Sequence, residues 1–155
     1  MTPLKSYKLP SGLSNLNVNL SNFPIGLGGC RNLDNFFDSC DYDIMVFDEN
    51  RSNREVISFE NNLVTLHHAS LSETNTKKLL QYDNLKILQD ASWNLKIFLS
   101  KISEKRNSLF SDFAKNSLIE SIFCCQKTKD GVENDDVFAS CWQKCASYYL
   151  ADAIS

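Results

Sequence analysis

The hydrophobic rhythm of the chain changes near residue 74. Before that point apolar residues come in short runs that alternate with polar ones. Tyr42 to Phe47, YDIMVF, reads as a strand rich in β-formers. Two alternating runs, REVISFE and LVTLHHA, flank Asn61 and Asn62 and read as a hairpin, because asparagine tolerates the left-handed backbone of tight turns. With those two residues in the turn, Glu60 is expected opposite Leu63 and Ser58 opposite Thr65. An earlier run, VNLSNFPIGL, approaches Gly28 and Gly29 as a further strand, and residues 32–39 read as a loop. The stretch before it, with Pro3, Pro10 and Gly12 among many Asn and Ser, reads as mostly irregular.

From Thr74 onward the period lengthens to roughly 3.6 residues. Leu79, Leu80, Leu85, Leu88, Leu95, Phe98, Leu99 and Ile102 recur at helical spacings, and so do Leu109, Phe110, Phe113, Leu118, Ile119, Ile122 and Phe123. Gly131, inside KTKDGVENDD, punctuates this pattern before a last run from Val137 to Tyr149. Trp93, Trp142, Tyr148 and Tyr149 read as core aromatics of this half. Strands first and helices afterwards predict an α+β fold, a small mixed β-sheet followed by a helical bundle. The expected division is a core over residues 1–73 and a helical extension over 74–155.

Composition narrows the setting. A chain of 155 residues with 43% hydrophobic and 23% charged residues supports a real core. Its formal charge of −3 excludes a global basic field for holding long nucleic acid. No apolar run nears the ~20 residues that span a bilayer. The N-terminal MTPLKSYKLPSG lacks the apolar stretch of a secretory signal. The chain therefore reads as soluble and cytoplasmic, without a membrane partner. On that reasoning the six cysteines are expected as thiols. Cys124, Cys125, Cys141 and Cys145 then read as small hydrophobes in helix cores rather than zinc ligands.

The candidate chemistry lies between Pro24 and Glu49, where Asp41 and Asp43 interrupt an apolar strand. Residues two apart on a strand share a side, so both carboxylates project together, with Cα atoms about 6.5–7 Å apart. Two such carboxylates repel and call for a cation. Mg²⁺ or Mn²⁺ suits them, being a hard ion that shares its oxygen ligands with phosphates. Gly28 and Gly29 permit close backbone approach and offer N–H groups to phosphate oxygens. Arg31 is a candidate for charge-assisted bonds to the same phosphates.

This constellation resembles the signature of the DNA polymerase beta-like nucleotidyltransferase superfamily. The matching positions are Leu27, Gly28 and Gly29, then eleven intervening residues, then Asp41, Tyr42, Asp43 and Ile44. GGCR is similar to the Gly-Ser-x-Arg variants of that superfamily. The resemblance implies a small nucleotidyltransferase core, of the archaeal or bacterial type with a helical extension. It implies binding of a magnesium-complexed nucleoside triphosphate such as ATP, and transfer of the monophosphate to a hydroxyl of an RNA end, a protein or a small molecule. It makes Asp41 and Asp43 catalytic metal ligands and Gly28, Gly29 and Arg31 nucleotide-binding. A third acid is expected from the second strand of the hairpin, where Val64-Thr65-Leu66 supplies the neutral Thr65 instead. Asp48, Glu49, Glu55, Glu60 and His67 stand nearby, and spacing selects none of them. The chain is expected to be a transferase by two-metal chemistry, or a weakened or inactive relative that binds nucleotide or a partner. Its helical half suits either the positioning of an acceptor or pairing with another copy.

Overall fold

The computed structural model describes residues 20, 22–32, 40–49, 54–59 and 62–154. Five strands form one mixed sheet: β1 (Ile25–Gly28), β2 (Tyr42–Phe47), β3 (Arg54–Phe59), β4 (Asn62–Ala69) and β5 (Lys86–Gln89), in the order β3-β4-β2-β1-β5. Strand β2 runs parallel to β4, and every other neighbouring pair is antiparallel. Among the described residues there are four α-helices: α1 (Thr76–Gln81), α2 (Asn94–Glu104), α3 (Arg106–Glu133) and α4 (Ala139–Ile154). The fold is α+β, strand-rich first and helical afterwards. No helix among the described residues is long and apolar enough to cross a membrane.

The division of the chain departs from a boundary at residue 73. The described residues up to Thr74 form one compact unit together with Gln81–Glu104, while Asn75–Leu80 goes with the residues from Lys105 onward. The region read as uniformly helical contains β5, which adds to the edge of the sheet beside β1. Four residues, KILQ, are too short to carry a period, so the spacing of Leu85 and Leu88 mimics a helix turn.

Alternation sorts the strand residues onto two faces. Ile25, Leu27, Ile44, Val46, Val64 and Leu66 make one buried cluster, joined by the partly buried Leu20, Phe23, Tyr42, Ile57 and Leu88. Burying each such side chain contributes about 1.5–3 kcal/mol. The residues between them, Asp43, Met45 and Phe47 on β2 with Thr65, His67 and Ala69 on β4, occupy the opposite face. At one end of that face Phe47 packs edge-on against Tyr82 and Phe98, with ring centroids 5.5 and 5.9 Å away. At the other end the side chains of Asp43 and His67 keep about a third of their surface exposed.

The hairpin register also differs from expectation. Ser58 pairs with Leu63 and Val56 with Thr65, so Glu60 and Asn61 fall between the strands. The slip is two residues, and an even slip leaves every side chain on its expected face. Glu60 and Asn61 themselves lie outside the described residues, as do residues 33–39 of the loop expected over 32–39 and the N-terminal stretch.

In the helical unit Gly131 does not end α3, which continues to Glu133. A Cβ there would meet the Cβ of Ala139 at 3.1 Å, so the glycine permits close approach of α4 just after the turn. Ser121 Oγ donates to the Ala146 carbonyl across the same hairpin at 2.9 Å. The expectation of buried aromatics fails in part, because Trp93 and Tyr148 are both mostly exposed.

The expectation of six thiols is corrected as well. Cys30 and Cys40 form a disulfide with their Cα atoms 6.4 Å apart, while Cys124, Cys125, Cys141 and Cys145 are free. Burial pushes the Cys124 thiol above its ordinary range, and Cys145, Glu120 and Cys125 add to the shift. That keeps Cys124 a thiol packed in the hairpin rather than a reactive thiolate. Alkylation of the unfolded, unreduced protein should add four groups by intact mass, and six after reduction. Six groups without reduction would contradict the pairing.

Candidate functional site

The site grows from the end of β1. Gly28 is the register partner of Asp43 on β2. Gly29 follows with a φ of 64°, in the left-handed region that favours glycine. A Cβ at this position would overlap the Asp43 carboxylate. The turn therefore brings bare backbone against the second acid of the Asp-x-Asp pair, and a side chain here would have to displace the Asp43 carboxylate. At Gly28 an added Cβ would find only ordinary contacts, the nearest being Leu85 at 3.5 Å.

A 3₁₀ turn, Cys30–Asn32, comes next. Arg31 is buried within it. Its Nε donates to the Cys40 carbonyl at 2.8 Å, its Nη2 to Asn62 Oδ1 at 3.3 Å, and its guanidinium lies 4.4 Å from the Tyr42 ring centroid. These contacts make Arg31 a strut between the glycine turn, the start of β2 and the start of β4. The same guanidinium is the candidate for charge-assisted bonds to phosphate oxygens. The Cys30–Cys40 disulfide ties the same two segments together.

Asp41 is exposed just ahead of β2, and Asp43 lies one residue inside the strand. The parallel register pairs Asp43 with Thr65 on β4, so the two side chains stand side by side on one face, with Thr65 buried. His67 sits two residues further along. Its Nε2 lies 3.3 Å from Asp43 Oδ1. Sequence spacing could not choose among the other acids, and the structure separates two of them from this group. Asp48 Oδ2 and Glu55 Oε1 lie 3.5 and 3.8 Å from the two ring nitrogens of the buried His68, whose strand position is on the core side. Glu49 is exposed beyond β2.

One residue passed over in the sequence belongs to the open face. Arg54, at the start of β3, is the register partner of His67 and is exposed. Alternation turns it to the side of Thr65 and Asp43. The signal was present in the hairpin pattern, but an arginine at a strand start is common, and only register aligns it with His67.

The donor set determines which cation it fits. Among the described residues no group of three or more His, Cys, Asp and Glu is arranged to hold a metal ion. Asp43 and the neutral Thr65 hydroxyl stand together on this face, and with Asp41 as a further ligand they would suit one Mg²⁺ or Mn²⁺ that takes its remaining ligands from phosphates and water. They do not form a cage of three acids. Comparison with protein-family models and with curated proteins returns no match.

Two glycine substitutions distinguish close approach from simple loop flexibility. Gly29→Ala meets both a strained φ and the Asp43 carboxylate, so it should lower stability by about 1–3 kcal/mol. Gly28→Ala should change little. Thermal melts of the two variants check this, and equal losses would contradict the geometry.

Proposed function

We propose that the Asp41–Asp43 face binds a magnesium-complexed nucleoside triphosphate, with ATP as the reference ligand, and that transfer from it is slow or absent. The observation that carries this reading is the pairing of Asp43 with Thr65. A nucleotidyltransferase of the resembled kind would carry its third acid at that register position. Here Asp41 and Asp43 supply two negative charges, and the position beside them is neutral and buried. A cation bound there, Mg²⁺ or Mn²⁺, would neutralise the triphosphate and share its oxygens. The Gly28 and Gly29 N–H groups are the backbone donors proposed for the phosphate oxygens. Arg54 replaces Arg31 as the cation offered to them, because it is exposed on the open face and Arg31 is not. A cytoplasmic location, where nucleoside triphosphates are at hand, belongs to the same reading, and the Cys30–Cys40 disulfide counts against it.

A second reading is nucleoside monophosphate transfer to a hydroxyl of an RNA end, a protein or a small molecule. His67 favours it. An imidazole held against Asp43 at 3.3 Å is suited to accept a proton from such a hydroxyl. The acceptor would then be activated by a base where the third acid is absent.

Thermal denaturation with ATP tests binding. Ligand at ~100 times its Kd adds about 2.7 kcal/mol, which raises the Tm by roughly 5–10 °C in a chain of this size. The rise should appear only with Mg²⁺ or Mn²⁺ and should vanish in the Asp41→Asn, Asp43→Asn double variant. A rise that survives both changes would move the nucleotide elsewhere. Pyrophosphate release should stay at background in the wild type, whereas Thr65→Asp should tighten metal binding. Release that depends on His67 would favour the second reading.

A further inference from the structure

The hairpin of α3 and α4 buries small residues and leaves large ones outside. Ser117, Ser121, Cys124 and Gly131 are buried on α3, with Ala139 and Ala146 on α4. Leu118, Ile122 and Val132 on α3 are 46, 62 and 66% exposed, and Leu150 and Ile154 on α4 are 45 and 81% exposed. Leu118, Ile122, Cys125 and Val132 follow one another at spacings of four, three and seven, with Lys129 at the intervening position. That is the a/d rhythm of a helix packed against another helix. Ser147, Leu150 and Ile154 keep the same rhythm on α4, at spacings of three and four. Along one side of the hairpin runs a groove of about 560 Å³, lined by Ser121, Cys125, Thr128, Val132, Ala146 and Leu150, among others.

We propose that this face docks a second copy of the same chain, two hairpins closing into a four-helix bundle. The face is self-complementary. Its middle is built of small residues and its flanks of large apolar ones, so a single surface provides both holes and knobs. An isologous two-fold contact requires that of a surface, whereas an unrelated partner does not. Area points the same way. Five large side chains at ~100 Å² each give about 500 Å² of apolar surface, more than half of the ~800 Å² per partner in a standard interface. The rim supplies the remainder, with Gln143 beside the groove as a polar margin. The net charge of −3 is too small to hold two copies apart. None of this depends on the nucleotide reading.

Light scattering coupled to size-exclusion chromatography of the full chain tests the proposal. The expected mass at high micromolar concentration is twice the 17.6 kDa of one chain. A mass of one chain there overturns it. A series of larger species also overturns it, because an isologous contact closes at two. Ile122→Glu and Leu150→Glu should each return the mass to one chain with the helical circular dichroism retained, and the milder Ile122→Ser should raise the dimer dissociation constant at least tenfold. Phe123→Lys, turned away from the groove on α3, should leave the dimer intact. A dimer that survives the two glutamates and the serine overturns the proposal by locating the contact elsewhere.

Discussion

The parallel pairing of β2 with β4 sets both faces of the sheet at once. Val46 and Val64 are fully buried on one side of this pair, while Asp43 and Thr65 stand together on the other. A one-residue slip would expose the valines and drive Asp43 into the apolar cluster. The core therefore fixes the site. Burial of the valines and their neighbours holds the register, and the register decides which residue meets Asp43.

The site itself is assembled by close approach rather than by attraction. Gly29 lets the backbone reach the Asp43 carboxylate, and Arg31 braces the turn from beneath through Cys40, Asn62 and the Tyr42 ring. The Cys30–Cys40 bond adds a covalent tie across a separation of ten residues. Closing a loop of that size stabilises a fold by roughly 2–3 kcal/mol through the unfolded chain. Both braces act on the segments that flank the acids. At the open end of the face Asp43, His67 and Arg54 meet solvent.

Much of this was legible in the residues, for physical reasons that differ from case to case. YDIMVF gave β2 to the residue, because Tyr42, Ile44, Val46 and Phe47 all favour extended backbone. The position of Thr65 survived a misplaced turn, since a slip of two conserves the face. β5 was not legible, because four residues cannot distinguish a strand from one helix turn. The contacts of Arg31 were not legible, because a guanidinium beside a glycine turn serves equally as a strut or as a phosphate ligand. The disulfide escaped an argument made from the lack of a secretory signal and the size of the core. Gly131 was read as a stop, although a glycine inside a helix also marks where a neighbour comes close.

The central claim is that the neutral Thr65 leaves a site for one cation rather than two. The most direct test counts Mn²⁺ bound per chain, by electron paramagnetic resonance, with a saturating non-hydrolysable ATP analogue. The account predicts one tightly bound Mn²⁺ in the wild type and a second in Thr65→Asp. Two tightly bound ions in the wild type would contradict it.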